Sequence, residues 1–113
     1  NALVDMYAKC GVLAKSRQVF EELPLRDAAS YNALMAGYAQ EGQGHEVLDC
    51  FVRMQREGIF PDEITFVCML SACSHSGNSE DAQIYYDNMC EIYHIIPTIE
   101  HHTCMVVVFG YTR

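Results

Sequence analysis

The sequence repeats one pattern along its length, and this repetition constrains the fold more than any single motif does. Residues 7–11, 38–42 and 73–77 correspond to one another, and each of these segments ends in glycine. The successive glycines lie 31 and then 35 residues apart. Repetition at this period is typical of solenoids, in which each unit buries its apolar faces only by stacking on its neighbours.

Residues 28–62 show the repeating unit most completely. The first half places apolar side chains at i, i+3, i+4 and i+7, the spacing of one helix face. These side chains are Tyr31, Leu34, Met35 and Tyr38. Gly42 interrupts the pattern, and a second apolar stripe runs from Val47 to Met54 before Gly58 and Pro61 end it. The unit is therefore predicted to be an antiparallel helical hairpin.

The same reasoning predicts an all-α fold, an α-solenoid of stacked antiparallel helical hairpins. Ser30 and Ser79 are predicted to cap two of its helices. In the last helix, the side chains expected to face inward are His102, Met105, Val106 and Phe109. The predicted units are a partial short repeat at 1–27, a complete repeat at 28–62, a longer repeat at 63–98, and the start of a truncated repeat at 99–113.

The charge is acidic and unevenly distributed. The formal net charge is −8, and residues 63–113 carry six acidic side chains but only one basic side chain, Arg113. This is not the basic stripe of a surface that follows phosphates, so it counts against strong independent binding to nucleic acid. No apolar run has membrane-spanning length, and the first residues do not read as a targeting segment, so we expect no membrane association.

The chemistry-bearing side chains form no recognisable catalytic or metal site. The six cysteines include no CxxC pair, and we expect them to be mostly buried, reduced thiols. His101, His102 and Cys104 lie close together but lack the spacing of four zinc ligands. No nucleophile elbow, phosphate-binding loop or deaminase signature is present. We therefore predict a protein that is not an enzyme and that uses no metal or cofactor.

With the repeat boundaries given above, the chain resembles pentatricopeptide repeat proteins, specifically the plant class that alternates repeats of 35, about 36 and 31 residues. The matching segments are 1–11 for the short S-type repeat, 30–38 with Pro61 and Asp62 for the P-type, 65–77 for the long L-type, and 100–106 for the start of the next S-type repeat. The resemblance covers the whole chain. The sequence departs from the family pattern at its end, where Arg113 replaces the expected turn glycine.

The resemblance implies a right-handed superhelix that binds single-stranded RNA, with one base read by each repeat. A polar side chain near the start of each repeat reads a base with the help of the repeat's last residue. The reading residues implied here are Asn1 with Asp27, Asn32 with Asp62, and Thr103. An amide beside a carboxylate offers the donors and acceptors that a pyrimidine edge needs, and in this family it implies uracil, with cytosine second. The third repeat has Val67 with Thr98 and is expected to specify little.

The resemblance also implies residues that contact the stacked base and the RNA backbone. The base-sandwiching positions are Ala29, Ile64 and Glu100, of which Ile64 offers the best apolar wall. Lys9 occupies a position where a lysine reaches a phosphate, whereas the equivalent residues of the next two repeats are Gln40 and His75. This predicts weak binding to the RNA backbone.

By resemblance, the expected function is RNA binding within an organellar RNA-processing or cytidine-to-uridine editing factor of a mitochondrion or chloroplast. Editing-complex proteins, or a deaminase domain acting in trans, are the implied partners. Three alternatives stay open. The first is a protein-interaction scaffold, which the acidic balance favours, and the second is a non-functional gene fragment. In the third, the reading residues serve only as helix caps or solvated polar groups.

Overall fold

The computed structural model describes residues 1–110, and over this range it consists of seven α-helices joined by short connections, with no β-strand. The helices are α1 (Ala2–Lys9), α2 (Leu13–Glu22), α3 (Ala28–Gln40), α4 (Gly44–Arg56), α5 (Glu63–Ser76), α6 (Ser79–Glu91) and α7 (Ile99–Gly110). The prediction of an all-α fold is confirmed. Arg113, the predicted departure from the repeat pattern, lies outside the described residues.

The helices pack in two layers. Helices α1, α3, α5 and α7 form the first layer, each in contact with the next. Helices α2, α4 and α6 form the second layer, and each contacts its own hairpin partner and the first helix of the following hairpin. This is the stacking of an α-solenoid, because every interior helix buries one side against its own hairpin and another against a neighbour. The right-handed sense of the superhelix stays a prediction.

Aspartate, rather than serine, caps two of the first-layer helices. Asp27 Oδ1 accepts a hydrogen bond of 2.8 Å from the Ser30 backbone N–H, and Ser30 Oγ accepts one of 3.0 Å from the Asp27 N–H. Asp62 and Thr65 form the same reciprocal box at the start of α5. The prediction that Ser30 is an N-cap is therefore wrong, because α3 begins before it and Ser30 completes the capping box from the third helical position.

The cap of α6 also differs from the prediction by one residue. Asn78 Oδ1 accepts a hydrogen bond of 3.1 Å from the Asp81 N–H, so Asn78 is the N-cap and Ser79 is the first helical residue. Both residue types are good caps, so the local sequence does not distinguish them. The preceding Gly77, with φ of 69°, ends α5 and determines where the new helix starts.

The longer third repeat differs from the second at the end of its second helix. In the second repeat, the Ile59 N–H bonds to the Met54 carbonyl at 3.0 Å and spans five residues. In the third repeat, the Ile95 N–H bonds to the Met89 carbonyl at 2.9 Å and spans six residues. The additional residue is absorbed by a left-handed backbone at His94, with φ of 56°. The stacking of first-layer helices is thereby kept despite the difference in length.

The core contains the apolar faces predicted for α3 and α5, but not the face predicted for α7. Val108 and His101 are fully buried on α7, whereas Val106 is 72% exposed and His102 is also exposed. The prediction is wrong because residues 105–109 are apolar almost without a break, so their periodicity does not indicate which side is buried. Contacts of His101 at the start of the helix determine its rotation instead.

Ion pairs join the second-layer helices of the first two hairpins. We call this group the ion-pair cluster; its members are Arg17, Glu21, Arg26, Glu46, Arg53 and Glu57. Arg53 donates two hydrogen bonds to Glu21 at 2.6 and 2.7 Å, and Arg26 donates two to Glu57 at 3.1 and 2.7 Å. The hydrogen bonds from Arg26, reinforced by one of 2.6 Å from the Tyr31 hydroxyl, lower the pKa of Glu57 to about 2.

Candidate nucleic-acid interface

A shallow groove crosses the outer face of the first-layer helices α1, α3 and α5. It has a volume of about 250 Å³, and small side chains line much of it. The lining residues of α3 are Ala33, Ala36, Gly37, Ala39 and Gln40. Gly37 permits the close approach of α1 to α3, since a Cβ atom there would lie 3.1 Å from the Ala8 Cβ and 2.6 Å from Leu13 Cδ2. The missing side chain at Gly37 is therefore explained by close helix packing.

Asn32 and Asp62, which the sequence predicts as a base-reading pair, are brought together beside this groove. Asn32 lies on α3, and Asp62 caps the start of α5 in the next repeat. Asn32 Nδ2 donates a hydrogen bond of 2.9 Å to Asp62 Oδ1. The bond joins residues 30 apart in the chain, so it depends on the stacking of one repeat on the next.

Thr65 completes this constellation, although the sequence reasoning did not single it out. Its hydroxyl donates a hydrogen bond of 2.6 Å to Asn32 Oδ1 and accepts one of 3.1 Å from the Asp62 backbone N–H. Thr65 is fully buried, and Asn32 is only 5% exposed. A capping box whose third helical residue is threonine is visible in the sequence, but the contact with Asn32 appears only when the repeats are stacked.

Three hydrogen-bonding positions of this constellation have no partner among residues 1–110. A primary amide has two N–H donors and two acceptor lone pairs, so Asn32 retains one of each. Asp62 Oδ2 makes no hydrogen bond to any residue in the range 1–110 and is accessible to solvent. A free amide N–H beside a free carboxylate oxygen forms one donor and one acceptor. Such a pair is complementary to the O4 and N3–H groups of uracil.

The first predicted pair, Asn1 with Asp27, has a different arrangement. Asn1 Oδ1 accepts hydrogen bonds from the backbone N–H groups of Leu3 and Val4 at 2.9 and 3.4 Å, so Asn1 caps α1. The Ser30 backbone N–H, followed by the Ser30 side chain, lowers the pKa of Asp27. No hydrogen bond joins the side chains of Asn1 and Asp27 in the part of the chain that the structure describes.

The third repeat has no polar pair at the equivalent place. Val67 lies in the groove wall, and the Thr98 backbone N–H donates a hydrogen bond of 2.9 Å to Nδ1 of the buried His101. Because Nδ1 accepts this bond, the proton of the neutral ring lies on Nε2, which donates to the Glu63 carbonyl at 2.8 Å. In the fourth repeat, Thr103 is exposed, but its hydroxyl already donates to the Ile99 carbonyl at 2.8 Å.

The predicted base-sandwiching residues all lie on the surface near the helix starts. Ile64 is 54% exposed and follows Asp62 by two residues, and Ala29 and Glu100 are exposed at the equivalent places. An exposed isoleucine beside the Asn32–Asp62 pair offers an apolar wall against which a planar base can pack. Ala29 presents less surface, and Glu100 presents a charge.

The predicted phosphate contact, Lys9, is exposed but already paired. Its Nζ atom lies 2.9 Å from Asp5 Oδ2, four residues earlier on α1, and both side chains are largely exposed. Such a pair contributes little to stability and is readily exchanged for a phosphate. At the equivalent places, Gln40 is exposed and uncharged, and Nδ1 of His75 lies 2.8 Å from the Ala39 carbonyl. The groove therefore offers little positive charge.

The described residues offer neither a cluster of metal ligands nor a membrane-spanning helix. Within residues 1–110 there is no group of three or more histidine, cysteine, aspartate or glutamate side chains arranged to hold a metal ion. None of the helices in that range combines the length and the apolar character needed to cross a membrane.

The fold and this constellation define a class of protein, the α-solenoids built from repeated helical hairpins with polar side chains along one face. Comparison with known families identifies the particular repeat. The model of the PPR repeat family matches residues 26–75, and the PPR repeat model matches residues 1–27 and 64–93. The chain belongs to the pentatricopeptide repeat family. Proteins of this family are generally RNA-binding, reading one base per helical repeat.

Similar proteins from Arabidopsis thaliana bear the same family name. Two pentatricopeptide repeat-containing proteins are 42% and 38% identical over 110 residues, which is 97% of this chain but 18% and 17% of the relatives. A putative pentatricopeptide repeat-containing protein is 44% identical over 110 residues, again 97% of this chain and 16% of the relative. The chain thus spans less than a fifth of the length of these relatives.

Proposed function

We propose that this chain is a segment that reads single-stranded RNA, one base per repeat, with uracil favoured at the second repeat. The observation that carries the proposal is the hydrogen bond between Asn32 and Asp62, the two residues of the second repeat to which the resemblance assigns base reading. The exposed Ile64 supplies the adjoining apolar wall, and the groove across α1, α3 and α5 leaves room for the backbone.

The proposal assigns unequal roles to the repeats. The second repeat reads its base with two polar groups, whereas the third, with Val67, contributes packing but little discrimination. In the first repeat, Asn1 and Asp27 are proposed to read uracil, and in the fourth Thr103 is proposed as the reading residue. Because Lys9 is the one predicted phosphate contact, affinity should be modest and should fall with rising salt.

The proposal is tested by fluorescence anisotropy with U-rich, A-rich and G-rich single-stranded RNAs and the 113-residue chain. We expect the native chain to favour U-rich RNA. We expect Asn32→Thr to move the preference toward G, as the resemblance implies for a hydroxyl at this position. Gln40→Ala is the matched control, because it changes an exposed groove residue without touching the reading pair. It should leave the order of preference unchanged.

Equal affinity for all three RNAs, unchanged by Asn32→Thr, would remove base reading from this stretch. The Asn32–Asp62–Thr65 constellation would then be an internal joint between repeats and nothing more. If the chain binds none of the three RNAs, the conclusion is the same: this stretch does not read bases.

We further propose that the parent protein is an organellar factor of RNA processing or cytidine-to-uridine editing, in a mitochondrion or chloroplast. Family membership supports this proposal, since plant pentatricopeptide repeat proteins are generally organellar. Any deamination chemistry would come from another domain or from a partner acting in trans. Expression of the parent with a fluorescent tag, together with sequencing of organellar transcripts after its disruption, tests both parts.

A protein-interaction scaffold is the second candidate, and the charge distribution favours it. Between Glu57 and Gly110 there is no lysine or arginine, whereas acidic side chains occur throughout. Such a surface suits a basic protein partner better than a phosphate backbone. A chain that fails to bind RNA but is captured at low salt by a basic peptide would support this alternative.

A further inference from the structure

We propose that Thr65 is a positioning residue for the base reader of the preceding repeat. Its hydroxyl holds the Asn32 amide so that the remaining N–H is presented to the incoming base. This inference rests on the proposed RNA-reading function and deepens it, since it adds a third residue to the reading pair. The occupant of the site is a uracil of single-stranded RNA.

The direction of the Thr65 hydroxyl follows from the contacts around it. The hydroxyl has one proton, and two oxygens lie within reach: Asn32 Oδ1 at 2.6 Å and Asp62 Oδ1 at 3.1 Å. Asp62 Oδ1 already accepts hydrogen bonds from the backbone N–H groups of Ile64 and Thr65 and from Asn32 Nδ2. The proton therefore points to Asn32, where the distance is shorter and the acceptor less crowded.

The amide of Asn32 is consequently held at both ends. Asp62 accepts from the nitrogen, and Thr65 donates to the oxygen, so neither a flip nor a rotation of the amide keeps both bonds. Because Thr65 is fully buried, it does not itself contact a base. It acts by fixing where the free N–H of Asn32 points.

The equivalent residues of the other two repeat junctions make different contacts. Ser30 Oγ donates to the Asp27 carbonyl at 2.9 Å, and His101 Nε2 donates to the Glu63 carbonyl at 2.8 Å. Neither of them bonds to the side chain at the reading position of the repeat before it. Asn78 offers a matched control, because it caps α6 in the second layer and bonds to no proposed reading residue.

Loss of the Thr65 hydroxyl should change selectivity as well as stability. In Thr65→Val the shape is kept, but Asn32 Oδ1 loses its donor and the Asp62 N–H loses its acceptor. A buried carbonyl without a partner is costly, so the amide should turn toward whatever donor it finds. The free N–H then leaves its reading direction.

The experiment compares affinities for U-rich and A-rich single-stranded RNA by fluorescence anisotropy, using the whole 113-residue chain. In Thr65→Val we expect the ratio of the two affinities to fall by about tenfold, the effect of losing one well-placed pair of base contacts. Thr65→Ser, which keeps a hydroxyl, should restore the native ratio. Asn78→Ala, which removes the cap of α6, should lower the thermal midpoint and leave the ratio unchanged.

The outcomes separate the inference from the function on which it rests. If the native chain favours U-rich RNA and Thr65→Val keeps the full ratio, Thr65 is only a helix cap and the inference is overturned, while the proposed function survives. If the native chain shows no preference, both fail. If the ratio falls equally in Asn78→Ala and Thr65→Val, the cause is a general loosening of the fold, and the inference is also overturned.

A second measurement needs no variant. In nuclear magnetic resonance spectra of the native chain, the side-chain N–H proton that Asn32 donates to Asp62 should exchange with solvent more slowly than the other N–H proton of the same amide. Addition of U-rich RNA should shift these signals more than addition of A-rich RNA. Equally fast exchange of both protons in the free chain would contradict the proposed clamp, even if Thr65→Val does not fold.

Discussion

At the scale of single residues, the stacking of the repeats gives the six cysteines very different solvent exposures. Cys50, Cys68 and Cys73 are buried, and burial raises the pKa of their thiols to about 11, 12 and 11. Cys10 is exposed at the end of α1. Since the thiolate is the reactive form, burial suppresses reaction twice, by blocking access and by disfavouring ionisation.

We expect Cys10 to react first with iodoacetamide at pH 8, and the three buried thiols to react only when the chain unfolds. Mass spectrometry of peptides after timed labelling measures the order, and labelling in urea provides the unfolded reference. Cys10→Ser should remove the fast phase and leave the slow one. Labelling of Cys68 as fast as Cys10 would show that the first-layer helices are not stably packed.

At the scale of the helical hairpin, glycine determines where the chain reverses. Gly11, Gly42 and Gly77 each lie in the connection that follows a first-layer helix, and each has a positive φ between 69° and 76°. A side chain in this left-handed region is strained, so the turn has a conformational requirement apart from any contact. Gly44, two residues after Gly42, is the first residue of α4 and does not have a positive φ.

This difference predicts opposite effects for two neighbouring substitutions. Gly42→Ala should destabilise the chain by about 1 kcal/mol, because a Cβ there meets no neighbour but the backbone stays left-handed. Gly44→Ala, also without a nearby atom, should be neutral or slightly stabilising, because alanine favours a helix. Urea denaturation of the two variants measures both. Equal destabilisation would mean that the turn is not formed as described.

At the scale of the whole molecule, the two layers carry different kinds of interaction. The ion-pair cluster joins the second-layer helices α2 and α4, whereas the hydrogen bonds of Asn32 with Asp62 and Thr65 join the first-layer helices α3 and α5. Of the six basic side chains in residues 1–110, three arginines belong to the cluster and Lys9 is paired with Asp5. Few cations are thus left for RNA phosphates.

The ion-pair cluster predicts how stability depends on pH. The pKa of Glu57 is lowered from 4.5 to about 2, chiefly by hydrogen bonds from Arg26. A depressed pKa means that this contribution is complete above pH 4.5 and is lost as the pH falls toward 2. We expect the urea midpoint to decline over that interval, and to decline less steeply in Glu57→Gln.

Glu91→Gln is the control for this measurement, because Glu91 is exposed on α6 and forms no ion pair with a described residue. It should retain the steep decline of the native chain. If Glu57→Gln and Glu91→Gln follow the same curve, the pairing between Arg26 and Glu57 does not contribute to folding in solution.

Much of this architecture was predictable from the sequence, because its determinants are local or repeated. The apolar spacing of Tyr31, Leu34 and Met35 indicates a helix face, and the recurring glycines indicate the turns between helices. The two mispredicted helix caps share a cause. The caps at Ser30 and Ser79 were placed wrongly because neighbouring polar residues have similar capping preferences, and hydrogen-bond geometry chooses between them.

The sequence by itself determined that the chain forms stacked helical hairpins, because the repeat period and the apolar faces leave no other way to bury its hydrophobic surface. Only the tertiary structure decided what the polar side chains at the repeat boundaries do. Asn32, Asp62 and Thr65 form one hydrogen-bonded group, while Asn1 caps its own helix. The physical reason is that these bonds join residues about 30 positions apart, which come within reach of one another only after one repeat has packed on the next.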